Sequence, residues 1–101
     1  MMKLNKKEIY TFKLVTGEEV VAQTVEIDDD HYMISKPCTV LPNEKGQMQM
    51  VPSAYTMELD KDVRINTTAI AMILESNESV KAAYKKATTG IDVPEKKIIH
   101  G

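Results

Sequence analysis

Apolar and polar side chains alternate with a period of two along residues 10–27, YTFKLVTGEEVVAQTVEI. Tyr10, Phe12 and Leu14 share one side of an extended chain, with Thr11 and Lys13 between them. Beyond Thr16-Gly17 the alternation resumes: Val21, Gln23, Val25 and Ile27 share one face, and Val20, Ala22 and Thr24 the other. Successive side chains of a strand point to opposite sides, so the pattern predicts strands over about 8–15 and 18–27. Gly17 accepts a positive φ without a Cβ clash, and a tight hairpin is expected there.

The acidic turn Asp28-Asp29-Asp30 leads into a third predicted strand over about 31–41, broken or edged by Pro37, which has no amide to give to a ladder. Residues 41–46, LPNEKG, supply turn chemistry. A fourth strand is expected from QMQM, where Met48 and Met50 share a face, as far as Leu59. Pro52 then needs an edge, a bulge or a bend, and the alternation of Tyr55, Met57 and Leu59 supports the second half. Residues 63–75, VRINTTAIAMILE, fit either a helix capped by Thr67 or Thr68 or two short strands around a turn at Asn66 and Thr67. The two-strand reading is preferred, and it sets Ile70, Met72 and Leu74 on one side.

A helix is predicted over about 77–88, where Val80, Ala83, Tyr84 and Ala87 follow the spacing of one buried face. Ser76 or Asn77 can cap it, Glu75 and Glu78 lie near its positive end, and Gly90 is the expected stop. The final DVPEKKIIHG carries no strong pattern. It is expected as an arm or frayed tail, with Ile98 and Ile99 as docking residues.

A chain of 101 residues supports one domain, expected as an N-terminal arm over 1–7, a domain over 8–90 and a tail over 91–101. With no Trp, one Phe and seven Met, the interior depends on Val, Ile, Leu and Met. Met fills irregular gaps but specifies a packing weakly. Thirteen basic against fifteen acidic residues give a formal charge of −2, which advertises no polyanion partner. Cys38 is the one cysteine, so no intrachain disulfide or thiol cluster can form and a reducing compartment is favoured. No apolar stretch has signal-peptide or membrane-spanning length, so a cytoplasmic protein without a membrane partner is expected.

Catalytic and metal chemistry find little support. The sequence holds no P-loop, dinucleotide fingerprint, nucleophile elbow or paired-carboxylate signature, and an enzyme is not expected. Asp28, Asp29 and Asp30 lack the Gly-containing ligand spacing of a calcium loop and read as a solvated hairpin turn. His31, Cys38 and His100 cannot build a zinc tetrad, and His31 reads as an exposed or half-packed strand residue. Cys38 lacks an evident base and reads as a small buried hydrophobe. No metal and no cofactor are expected.

Residues 12–34, FKLVTGEEVVAQTVEIDDDHYMI, resemble the first motif of the Sm and Sm-like (LSm, Hfq-related) family, including its phage-associated and marine metagenomic members. Residues 63–70, VRINTTAI, resemble the second motif, in which a fourth strand ends in a short turn and a fifth begins. The resemblance spans about residues 8–75. It implies a mainly β fold: a small, strongly bent, five-stranded antiparallel Sm-like barrel, here with a C-terminal helix. It further implies that the fourth and fifth strands pair between subunits to close a ring, and that RNA binds near the pore. In this chain Arg64 stands near the second motif's basic residue with Asn66-Thr67 beside the turn, and the usual Arg-Gly pair is absent. Asp30 lines up with the first motif's aspartate, Ile34 falls near its asparagine, and the helix follows the strands instead of preceding them.

The function implied is an oligomeric RNA-binding protein, in RNA regulation or processing. One weak cluster per subunit becomes a multivalent site when copies surround a pore. Arg64 is assigned to phosphate or a base edge, Asn66 and Thr67 to hydrogen bonds, Tyr32 to stacking a base, and Lys36 is the second cation assigned to RNA. Ile70, Met72 and Leu74 are assigned to the oligomer interface. Plainer readings stand beside these, with Arg64 as a surface or interface cation and Tyr32 as core or rim packing. The alternative function is a phage-associated structural or assembly protein that has lost RNA binding. Net acidity, a single Arg and the missing Arg-Gly pair suggest it, and a phage origin implies the bacterial host cytoplasm.

Overall fold

The computed structural model of the chain describes residues 4–54, 56, 58 and 60–92. The alternation in residues 10–27 becomes a hairpin of β1 (Ile9–Leu14) and β2 (Glu19–Ile27). At the turn Gly17 takes a φ of 108°, the Gly17 N–H donates to the Leu14 carbonyl at 2.9 Å, and the Leu14 N–H donates to the Glu18 carbonyl at 2.8 Å. The register pairs Tyr10 with Ala22 and Thr11 with Val21. Tyr10, Phe12 and Ala22 therefore face one side, and Ile9, Thr11 and Val21 the other.

β3 (His31–Pro42) runs through Pro37 without a break. The missing amide is accommodated because the neighbouring edge is shared: β4 (Met48–Pro52) pairs with residues 38–42 of β3 and β5 (Val63–Asn66) with residues 31–34. Ser35-Lys36-Pro37 lies between the two ladders. On the opposite side the register to β2 shifts between Val21 and Gln23, and Lys36 takes a φ of 48°. At such a bulge a proline forfeits no ladder bond. The fourth strand, expected as far as Leu59, ends at Pro52, and the sheet holds six strands where five were expected. Tyr55, Met57 and Leu59, assigned to that strand, lie outside the described residues.

A 3-10 turn (Thr67–Ala69) leads to β6 (Ile70–Glu75), so residues 63–75 form two strands around a turn, one residue later than expected. The strand order is β4-β3-β2-β1-β6, with β5 also on β3, and each pairing is antiparallel. β1 and β3 consequently run in one direction, and their partners β6 and β5 both run in the other. Adjacent parallel strands need a crossover of about a dozen residues or more, and only the three-residue turn joins β5 to β6. The two strands therefore do not pair. The sheet is antiparallel and curled, but it does not close into the barrel that the sequence pointed to.

Curling buries one face against itself. Tyr10, Phe12, Ala22 and Ile34 form that interior, with Tyr32, Val63, Ile65, Ile70 and Ile73 packed against them. The outer face carries Ile9, Val21 and Cys38, and α1 (Glu78–Asp92) covers them with Tyr84 and Val80. Asn77 caps this helix, its Oδ1 accepting from the Val80 N–H at 2.8 Å, while Glu78 occupies the first turn. Ser76, the other candidate cap, is buried with its hydroxyl 2.9 Å from that of Thr11, fastening the helix start to β1. The helix continues through Gly90, its expected stop, to Asp92. Glycine costs a helix about 1 kcal/mol relative to alanine but ends it only by turning left-handed. Ile98 and Ile99 lie outside the described residues. Among the described residues no helix is long and apolar enough to cross a membrane.

Candidate nucleic-acid interface

Strand pairing, and not proximity in sequence, assembles the candidate site. The β3–β5 register sets His31 opposite Asn66 and Met33 opposite Arg64. Alternation then sends Tyr32, Ile34, Val63 and Ile65 to the interior and leaves the other four on the outer face. Arg64 and Asn66 are exposed, and His31 is half-buried. The adjoining turns are tied together, because the Asp30 carbonyl accepts both the Thr67 N–H at 3.1 Å and the Thr67 hydroxyl at 3.2 Å. Three of the residues assigned to RNA, Arg64, Asn66 and Thr67, thus stand beside the acidic turn at one end of the sheet.

That turn gives the site a mixed charge. His31 Nδ1 lies 3.0 Å from Asp30 Oδ1 and 3.9 Å from Asp28 Oδ2. The His31 hydrogen bond is the main reason that the Asp30 carboxyl sits below its ordinary range, with the positive charge of Arg64 a smaller cause. Asp28, Asp30 and His31 place ligand atoms within 4.8 Å of one another, a spacing that a metal ion accepts but that exposed acidic groups also adopt without one. All three aspartates are exposed, as a solvated turn requires.

Tyr32 and Lys36 stand apart from this cluster. The Tyr32 ring points inward, its centroid 6.2 Å from that of Phe12. Its remaining surface lines a hollow of about 360 Å³ with Leu4, Thr67, Ile70, Met72 and Ile73. A base stacked on Tyr32 would occupy that hollow, beside Thr67 but on the other side of the sheet from Arg64. Lys36 sits on the bulge three residues beyond Met33, about 10 Å along the strand.

Of the residues assigned to the oligomer interface, Met72 and Leu74 are 57% and 42% exposed. Ile70 does not share their side. A register shift between Lys13 and Leu14 sets Ile70 opposite Leu14 and Met72 opposite Lys13, so one extra residue, Ala71, reverses the alternation and Ile70 packs into the interior. Cys38 is buried and its thiol pKa is raised by that burial, the state of a small hydrophobe and not of a nucleophile. A second hollow, of about 410 Å³, lies between α1 and the outer face and is lined by Val21, Val40, Met48, Met50, Val80 and Ala83.

The link from Asp30 and His31 to Asn66 and Thr67 escapes a reading of the sequence alone. Its only sequence signal is that two polar runs, DDDH and NTT, each adjoin a predicted strand. Together the fold and site define a curled antiparallel sheet with a polar junction of two turns at one end. No protein-family model matches the chain, and no curated protein is similar enough to mark a relative.

Proposed function

We propose that this chain is an Sm-like RNA-binding protein that acts as a ring-shaped homo-oligomer in RNA regulation or processing, by binding and not by catalysis. The observation that carries the reading is the junction of turns: Arg64, Asn66 and Thr67 are gathered beside Asp30 and His31. The hollow bearing Tyr32 and Thr67 adds an aromatic surface on which a base can stack. Strand β5, the 3-10 turn and β6 follow one another in the order that the family's second motif implies. In this reading the barrel is completed between subunits.

Binding of labelled oligo-U and oligo-A at low salt, followed by fluorescence anisotropy, tests it. Affinity is expected to fall steeply with salt, because each neutralised phosphate releases counterions. The Arg64→Ala/Lys36→Ala double variant is expected to bind more weakly, its salt slope shallower by about 1 for each phosphate that it no longer neutralises. Unchanged affinity of that variant removes the site.

A second reading has its own observation. The charge of Arg64, the one Arg of a chain with a formal charge of −2, is felt at Asp30. A phage-associated structural or assembly protein that has lost RNA binding fits that arrangement. Absence of salt-sensitive RNA binding selects it.

A further inference from the structure

We infer that His31 regulates the RNA affinity of the turn junction through its own charge, so that the site strengthens as pH falls. This rests on the RNA-binding reading above. Histidine is the side chain that changes charge between about pH 5 and 8, and His31 stands where one charge alters the balance. Around it the acidic turn contributes Asp28, Asp29 and Asp30, with His31 Nδ1 at 3.0 Å from Asp30 and 3.9 Å from Asp28. From β2, Glu26 pairs with Met33 on the same outer face, and from β5 Arg64 pairs with Met33 from the other side while Asn66 faces His31. The 3-10 turn contributes Thr67, which is uncharged and bonded to the Asp30 carbonyl.

Asp30 feels the charge of Arg64, and a phosphate approaching Arg64 meets that carboxylate with its neighbours in the acidic turn. A neutral imidazole leaves their negative charge in place. A protonated one offsets it by one charge and holds Asp30 and Asp28 as its own partners. The geometry also carries the change outward, since Asp30 is the residue whose carbonyl fastens Thr67.

The test is binding of labelled oligo-U by anisotropy at low salt, at pH 5.5, 6.5 and 8.0, for the full chain and for His31→Gln and His31→Lys, with His100 retained throughout. One added charge about 6 Å from a phosphate in water is expected to tighten binding about threefold for each phosphate held. The native chain should follow that rise as pH falls, His31→Gln should be flat, and His31→Lys should bind tightly across the range. Binding that ignores pH, or a His31→Gln variant that titrates like the native chain, overturns this inference and leaves the RNA reading standing. No binding at any pH overturns both. In the free protein the Thr67 amide and Arg64 Nε resonances should shift between pH 8.0 and 5.5 in the native chain and stay fixed in His31→Gln, and resonances that shift alike in both refute the coupling independently of RNA.

Discussion

Tyr84 joins helix to sheet by two separable means, and substituting it measures each. Its ring is 5% exposed and packs on Ile9, Val21 and Cys38. Its hydroxyl donates to the Ser35 carbonyl at 2.7 Å, beside the bulge in β3. Tyr84→Phe keeps the ring and removes the bond, so it is expected to cost about 1–2 kcal/mol: a typical net hydrogen bond plus part of the penalty of an unpaired carbonyl. Tyr84→Ala also removes the packing and is expected to cost about 3–5 kcal/mol. For a domain of this size each kcal/mol lowers Tm by about 4–8 °C. Urea titration followed by far-UV circular dichroism reads both variants. The same residue gives a pH signature. Burial is the main cause raising its phenol pKa to about 12, from about 10 in an unfolded chain. A raised folded pKa contributes stability that is fully present below about pH 10 and lost as pH climbs towards about 12. That base-dependent loss should vanish in Tyr84→Phe. A cost for Tyr84→Phe below about 0.3 kcal/mol, or for Tyr84→Ala below about 1.5 kcal/mol, would refute the account of how the helix is held.

Three further outcomes concern single interactions. Thr11→Val and Ser76→Ala should each cost about 1–3 kcal/mol because the surviving hydroxyl is stranded, whereas the double variant should cost less than the two together, as a double-mutant cycle in urea will read. Asn77→Ala, which removes the cap on Val80, should cost about 1 kcal/mol and Asn77→Asp little, checked by thermal melts. In the same melts Lys36→Val should be destabilising by more than about 1 kcal/mol, because a β-branched residue at a φ of 48° meets its own backbone, while Lys36→Gly, which fits that φ, should cost less.

Local chemistry made part of this molecule legible. The β1–β2 hairpin could be read because Gly17 and the alternation around it are both contained in one short stretch, and the turn at Thr67 because polar residues interrupt an apolar run. What escaped was set by partners distant in sequence. Pro37 sits inside a strand only because β4 and β5 divide the edge beside it. Ile70 faces inward only because β1 and β6 pair with a shift at Leu14. The junction of Asp30 with Thr67 is a contact across 37 positions. Sequence named Arg64, Asn66 and Thr67 as a group, but their acidic neighbours follow from register alone.

The proposed ring draws on the same register. β5 and β6 lie at opposite ends of the sheet and run the same way, so the short turn between them cannot bring them together as a ladder. A copy related by rotation is not bound by that turn and can lay its β6 against β5, and a cyclic arrangement repeats this contact without leaving a β6 edge open. β6 holds neither Lys nor Pro, the residues that guard free edges, and Met72 and Leu74 stand exposed along it. Met72 and Leu74 are already about half-buried, so covering the rest contributes about 1.5–3 kcal/mol per interface, half of the full-burial value for two side chains. Light scattering on the native chain should therefore give a fixed multiple of 11.4 kDa across a dilution series. Met72→Lys/Leu74→Lys should fall to the mass of one chain while keeping its far-UV spectrum. A native chain that is a monomer at every concentration refutes the ring, and a charged variant that keeps the native mass refutes the role of this edge.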